Sequence, residues 1–356
     1  MIEVDGSVGE GGGQLLRYSV ALAALLQRSV RVYNIRAKRS NPGLRPQHLN
    51  AVRLISSLVG AAVRGLHVGS MEVVMEPRRR PRSGALRVDI GTAGSISLLL
   101  QAVLPVLLAA DGRVRLTVIG GTNVKWSPPI QYLQYILLPM LRRFGVRAEV
   151  RLLRMGFYPR GGGVVEVEAS PSYPLKPVKF RRFREIRAIS GISYSANLPV
   201  HVAERQARAA LEVLRSRGFG EYVGEIEVDT RTPAVGRGSG VVLWAETDEG
   251  VVGGDALGER GKRAEVVGRE AAQKLVDVLR TGAPVDPHAL DNLVIYMSLA
   301  EGRSVAYSSK LTSHARTAIW LCRLITGARF RVVEDKLVMV EAEGVGYRPT
   351  ESLARA

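Results

Sequence analysis

Three widely separated stretches of this chain end a helix in the same way. Leu58-Val-Gly-Ala-Ala-Val63, Arg143-Phe-Gly-Val-Arg-Ala148 and Ile325-Thr-Gly-Ala-Arg-Phe330 each place a glycine where a helix needs a left-handed residue to stop, and each runs at once into a strand. The elements ahead of each glycine also match. The first copy has a strand at Ile2 and Val4, a turn at Gly9-Glu-Gly-Gly-Gly-Gln14, a helix over 15–27, a strand over 29–35, a turn at Asn41-Pro-Gly43 and a helix over 45–59. Strands near 62–75 and 85–90 follow. In the second copy Gly91-Thr-Ala-Gly-Ser95 leads a helix to 110, then come a strand over 113–119, a loop bounded by Gly120-Gly-Thr122 and Pro128-Pro129, a helix to 144, and strands over 146–153 and 164–168. In the third, Asp286 to Asn292 lead a helix to about 300, followed by a strand over 304–308, a helix ending at 325, and strands over 328–333 and 337–341. Three copies of one unit call for stacked, pseudo-symmetric α/β modules with helices on one face of each sheet.

The third copy is interrupted. Between about 184 and 281 the pattern is strand (186–194), helix (201–217), two strands (225–229 and 241–246), helix (263–280). This reads as a smaller inserted α/β domain, since insertion is tolerated where chain ends lie close at a surface. The expected division is residues 1–183 as repeats one and two plus the start of repeat three, 184–281 as the insert, and 282–356 as the completion of repeat three.

Net charge is +17, a balance that attracts nucleic acid and other polyanions. Only eight of the 50 basic residues are lysine, and an arginine skew of that kind also arises from genome composition or a hot habitat, so clusters weigh more than the total. Two stand out, Arg78-Arg79-Arg80-Pro-Arg82 and the set from Lys176 to Arg187. The single cysteine, Cys322, excludes an internal disulfide and a cysteine-based zinc site, and fits a reducing, cytoplasmic setting. The N-terminus has charge at its third residue and no apolar core, so no signal peptide is expected. The longest apolar run, 96–110, contains Gln101 and Pro105 and is too short to span a bilayer, so no membrane partner is expected.

The chemistry-bearing stretch is Lys310-Leu-Thr-Ser-His-Ala-Arg-Thr-Ala-Ile-Trp320, a strand end turning into a helix. Thr312 or Ser313 caps the first free N–H groups, and Ala315, Ala318, Ile319 and Cys322 follow at helical spacing. His314 lies in the first turn. The helix dipole disfavours imidazolium there and favours an anion such as phosphate, so a neutral ring nitrogen beside an anion site is a candidate nucleophile toward phosphorus. A capping or surface role is the plainer alternative for a histidine at a helix start.

Glu10 sits in a glycine-rich turn before a helix. A carboxylate there repels phosphate unless a divalent metal lies between, which makes Glu10 a candidate Mg²⁺ ligand or else a residue of a solvated turn. Arg17 falls one and a half turns into the same helix. Arg36, Arg39 and Arg45 follow in the next strand and loop, and arginine suits phosphate because it binds it bidentately. Gln47 and His48 open the second helix of the first copy, the place His314 holds in the third. Gln101 lies in an otherwise apolar helix, where a buried amide bonds backbone or a ligand. Trp126 with Pro128-Pro129 suits a rigid apolar wall against a base, Lys125 a phosphate contact. Asp291 and Asn292 either read an adenine or ribose edge or cap their helix.

Gly9-Glu-Gly-Gly-Gly-Gln-Leu-Leu-Arg17, Asn41-Pro-Gly-Leu-Arg-Pro-Gln-His48, Gly120-Gly-Thr122 with Pro128-Pro129, and Thr312-Ser-His314 together resemble the RNA 3′-terminal phosphate cyclases, along essentially the whole chain. The resemblance implies an α/β (α+β) fold of three βαβαββ repeats like the C-terminal domain of a translation initiation factor, with an inserted smaller α/β domain. It implies ligase-type nucleotidyl transfer. The His314 imidazole attacks the α-phosphate of ATP and expels pyrophosphate. AMP passes to an RNA 3′-phosphate, and the neighbouring 2′-hydroxyl closes a 2′,3′-cyclic phosphate. The cofactors implied are ATP and a divalent cation, Mg²⁺ or Mn²⁺; the partners are RNA 3′-phosphate ends. By position Glu10 takes the metal role, while Gln101, Pro128 and the segment His288, Ala289, Leu290, Asp291, Asn292 take ATP-contacting positions. His288 stands where some members have tyrosine. Arg17, Arg36, Gln47 and His48 match the phosphate-binding cleft. Two rivals are a non-catalytic cyclase-like RNA-binding factor of ribosome assembly, whose relatives lack the histidine that is intact here, and the enolpyruvyl transferases, which use similar repeats but no covalent histidine.

Overall fold

The computed structural model describes residues 1–349. Three four-stranded sheets share one topology. In the first, β1 (Ile2–Asp5) and β2 (Val30–Tyr33) are parallel, and β4 (Val73–Glu76) and β3 (Ala62–Arg64) complete the order β1-β2-β4-β3, both pairings antiparallel. The second sheet sets β5 (Gly84–Asp89) parallel to β6 (Val114–Gly120), followed by β8 (Gly163–Ser170) and β7 (Arg147–Arg154). The third sets the two-residue β9 (Lys179–Phe180) parallel to β14 (Glu301–Ser308), followed by β16 (Val338–Val345) and β15 (Arg329–Glu334). Each crossover between the parallel strands carries a helix, as a parallel pair requires.

The helices face inward and pack on one another. Repeat one supplies α1 (Gly13–Leu26) and α2 (Pro46–Val59), repeat two α3 (Ile96–Leu107), and repeat three α8 (Pro287–Leu299) and α9 (Ser313–Thr326). Helix α1 touches α2, α3 and α9, and α8 touches α9, so repeats one and two meet through α1–α3 and repeats three and one through α9–α1. Helices α1, α3 and α8 are buried nearly all round, and their Leu, Val, Ile and Ala residues form the centre of one large core. The αL caps expected at the repeat ends are present at Gly60 (φ 58°) and Gly327 (φ 79°).

Between β9 and α8 lies a fourth sheet of different order, β11-β10-β12-β13, made of β10 (Ile186–Ala196), β11 (Val223–Asp229), β12 (Gly238–Thr247) and β13 (Val251–Leu257). Helices α6 (His201–Ser216) and α7 (Ala264–Leu279) cover one face and enclose a second apolar cluster with Leu243, Leu275 and Val276.

Five details depart from expectation, the first being that the two-residue β9 has no counterpart in the sequence pattern. The stretch 62–75 is two short strands around Gly65 (φ 74°) and Gly69 (φ 82°), not one. The strand expected near 85–90 pairs with β6, so it opens repeat two rather than closing repeat one. The helix expected to reach 144 is broken into α4 (Ile130–Tyr132), a π turn (Leu133–Leu137) and α5 (Leu138–Arg142), because Pro139 has no N–H to continue the ladder. Strand β13 has no counterpart in the sequence pattern.

That broken helix is where the insert docks. The Tyr135 and Trp244 rings stack at 4.4 Å, and Val251 N–H meets Met140 Sδ at 3.1 Å. Beneath them the buried Asp286 carboxylate joins three parts of the chain. It caps α8 by accepting from His288 and Ala289 N–H (3.0 Å each), and accepts from Tyr132 O–H (2.6 Å) and from Gly253 N–H (3.1 Å). Asp286→Ala removes a cap and leaves a buried hydroxyl and amide unpaired, an expected loss of roughly 2–4 kcal/mol. Urea denaturation measures it, and a loss under 1 kcal/mol would show that the carboxylate joins nothing of consequence.

Candidate active-site cleft

The starts of α1, α8 and α9 come to one cleft of about 370 Å³. Its lining includes His314, Gln14, Arg17, Gln101, Asp291 and Asn292. Helix α9 starts as its sequence dictates. Thr312 Oγ1 accepts from Ala315 N–H at 2.9 Å, and its hydroxyl donates to Asp291 Oδ1. The next two residues reach across to repeat one. The Ser313 hydroxyl donates to Glu10 Oε1, His314 Nδ1 lies 3.2 Å from Gln14 Oε1, and His314 Nε2 lies 3.4 Å from Glu10 Oε2. Arg39 Nη2 stands 3.6 Å from the same carboxylate oxygen.

The His314 ring is about half exposed (48%). Partial burial holds its pKa below the ordinary histidine value. Glu10 opposes that, and Arg17, Arg39 and His288 reinforce it. The ring is therefore neutral at pH 7. Arg17 is buried, which pulls its guanidinium down to about 10, and its Nε has no partner within the protein. Asn292 gives its Nδ2–H to His288 O at 2.7 Å and leaves Oδ1 buried without a donor. Arg17 and Asn292 thus each leave one buried polar atom unpaired within the protein beside the cleft. Burial pushes the Asp291 carboxyl up to about 7, against the hydrogen bond from Thr312.

The remaining anticipated residues divide by position. Pro128, Trp126 and His288 line the cleft. His48 is buried behind it. A Cβ on Gly13 would fall 2.1 Å from His48 Nε2 and 3.0 Å from Arg17 Nη1, so His48 packs directly on the first turn of α1. Its Nδ1 accepts from Arg45 N–H at 3.3 Å, and burial with Arg17, Arg36 and Arg45 holds its pKa far down. Gln47 accepts from Ser95 N–H (3.1 Å), tying α2 to the start of α3. Arg36 is not gathered into the cleft: its Nη1 donates to the Asn41 and Gly43 carbonyls (2.5 and 2.9 Å) and braces that turn. Ala289 and Leu290 are fully buried frame residues of α8. Lys125 pairs with Glu259 at 2.6 Å instead of facing the cleft. Glu10 lies at the α1–α9 junction, and among the described residues no three metal-binding side chains cluster.

Four cleft residues carry no functional reading from the sequence. Gln14 and Tyr18 lie on α1 at i and i+4 with Arg17 between, a polar stripe in an apolar helix that the spacing does contain. Asp255 and Lys274 come from the insert and are brought in only by its docking. Burial raises the Asp255 carboxyl, while Lys274 and His288 oppose it.

The family model described as RNA 3′-terminal phosphate cyclase matches residues 8–332. Curated proteins of that name are similar over nearly the full length of both chains. The one from Pyrobaculum neutrophilum is 49% identical over 97% of this chain and 99% of its own, and that from Staphylothermus marinus 49% identical over 98% and 99%. The relative from Nitrosospira multiformis is 45% identical over 96% of this chain and 97% of its own.

Because Glu10 raises the His314 pKa, Glu10→Gln is expected to lower it further. Titration of ring-labelled histidines by NMR checks the direction; an upward or absent shift means the carboxylate and ring are not in contact.

Proposed function

This chain belongs to the RNA 3′-terminal phosphate cyclase family, and we propose on that footing that it uses ATP to convert an RNA 3′-terminal phosphate into a 2′,3′-cyclic phosphate, with AMP carried in between on His314. The observation behind the residue assignment is the His314 ring itself, neutral and braced at Nδ1, in a cleft whose buried Arg17 lacks a partner.

A proton on Nδ1, donated to Gln14 Oε1, leaves the lone pair on Nε2. Nε2 attacks the α-phosphorus of ATP, the P–O bond to the leaving group breaks, and pyrophosphate departs. No proton need be removed first. The adduct holds positive charge on the ring, which makes imidazole a good leaving group when an RNA 3′-phosphate oxygen attacks the AMP phosphorus. The 2′-hydroxyl then displaces AMP from the activated phosphate. Arg17 supplies the orphaned donor to phosphate, while Asn292 Oδ1, Gln101 and Pro128 meet the nucleoside. Glu10 is a hard oxygen donor, and would hold a divalent cation whose other ligands are phosphate oxygens and water, neutralising phosphate charge. The division at 1–183, 184–281 and 282–356 belongs to the same proposal, supported by the separate sheet order and the separate apolar cluster of the insert.

Incubation with α-labelled ATP and Mg²⁺ or Mn²⁺ should leave acid-labile, alkali-stable label on the protein, and none on His314→Ala; undiminished label on that variant rejects the nucleophile. Adenylylation should hold steady as pH falls through the ordinary histidine range and decline only below it, since the ring protonates late. Glu10→Ala should lower adenylylation more than RNA affinity in a salt-matched titration, and equal loss in both argues against a metal role.

A further inference from the structure

We propose that Trp126 is the stacking platform for the terminal base of the RNA acceptor. The inference rests on the cyclase reading and adds to it the surface that receives the second substrate.

Trp126 lines the same cleft as His314, yet 94% of its surface is in water. A ring that borders a cavity and is that exposed stands at the rim. A bare indole at such a place has no role in the core. Its backbone is also unusual: φ is 61°, a left-handed conformation that a bulky residue adopts at a cost. The loop beneath is firmly held. Asn123 Nδ2 donates to Gln131 Oε1 at 2.8 Å, Ile130 N–H to Thr122 O at 3.1 Å and Ser127 Oγ to Val124 O at 3.0 Å. Lys125 is pinned to Glu259 of the insert. Residues on both sides are anchored by these bonds, while the Trp126 ring stays almost wholly exposed.

The occupant follows from where the ring is. The inner cleft already supplies what a bound nucleoside needs, in Leu98, Gln101, Pro128, buried Tyr132 and the unsatisfied Asn292 Oδ1. A rim indole lies outside that enclosure. To bring a 3′-phosphate and its 2′-hydroxyl to His314, the last nucleotide of an RNA must be drawn away from its neighbour and loses that stack. An aromatic face at the entrance restores it, and does so for any base because every base has a π face. Arg260, exposed next to Glu259, adds positive charge on the facing loop for the backbone. The expected selectivity is mild, purine over pyrimidine.

The test separates the two half-reactions. Enzyme is first loaded with α-labelled ATP and freed of nucleotide, then transfer to RNA oligonucleotides with 3′-phosphate is followed in single turnover. Trp126→Ala should adenylylate like the native protein but transfer to RNA roughly 5- to 150-fold less efficiently at subsaturating RNA, the scale of one base stack. Trp126→Phe should recover most of that. With an oligonucleotide whose terminal residue is an abasic ribose 3′-phosphate, native protein and Trp126→Ala should transfer alike. Adding 3′-phosphate RNA should quench tryptophan fluorescence in the native protein but not in Trp126→Phe. Unchanged transfer by Trp126→Ala, or an equal deficit on abasic RNA, overturns the proposal while leaving the cyclase reading in place. Loss of adenylylation in Trp126→Ala would instead assign the ring to ATP and also overturn it. Failure of the native protein to adenylylate at all removes the reading beneath.

Discussion

The junction between the first turns of α1 and α9 sets everything at the candidate site. Ser313 and His314 reach Glu10 and Gln14 across it, although the two ends are 300 residues apart in sequence. The approach is close because Gly9 has no side chain: a Cβ there would stand 2.4 Å from Thr317 Oγ1. His314 and its brace Gln14 thus belong to different repeats, and neither repeat alone makes the site. The start of the first helix of repeat one meets the starts of both helices of repeat three, so three helix N-termini come to one cleft.

The repeat order was legible in the sequence because glycine at C′ and the switch from helical to alternating period are local properties. The errors have local causes too. Strand β9 is two residues long and cannot show a period. The α4–α5 break was signalled by Pro139, whose missing N–H outweighs the apolar pattern around it. Strand β13 was hidden by Gly253 and Gly254, which propensity counts against a strand. Packing explains both: a Cβ on Gly254 would lie 2.4 Å from Ala271 O, and one on Gly253 2.8 Å from Ile136 Cγ1. The residues that hid the strand are those that let a helix on each side approach it.

The site was legible only where its chemistry is local. Thr312 and His314 announce a capped helix start, and the capping bond is there. Arg36 was misplaced because an arginine near a glycine-rich turn serves equally to hold carbonyls or phosphate, and only the fold shows the carbonyls in reach. Ala289 and Leu290 matched a segment but not a surface; α8 presents Asp291 and Asn292 to the cleft and turns those two inward. Asp255 and Lys274 had no signal, since their place depends on a docking that rests on Tyr132, Tyr135 and Asp286 in other parts of the chain.

Burial sets the charge of the cleft. Arg17 is deprived of water, which lowers its hold on a proton and leaves a positive group uncompensated. Burial has the opposite effect on Asp291, which gains a proton near neutrality and so adds little negative charge to offset it. Glu10 is already engaged by Ser313 and lies near Arg39. Partial burial is the largest influence holding the His314 pKa down, Glu10 works against it, and Arg17 and Arg39, which favour an anion, add to it. A phosphate entering the cleft would meet the unpartnered Arg17 donor and a ring nitrogen with its lone pair free, while its own charge would make later protonation of that ring easier. The arginines that favour an anion here thus also favour the uncharged ring beside it.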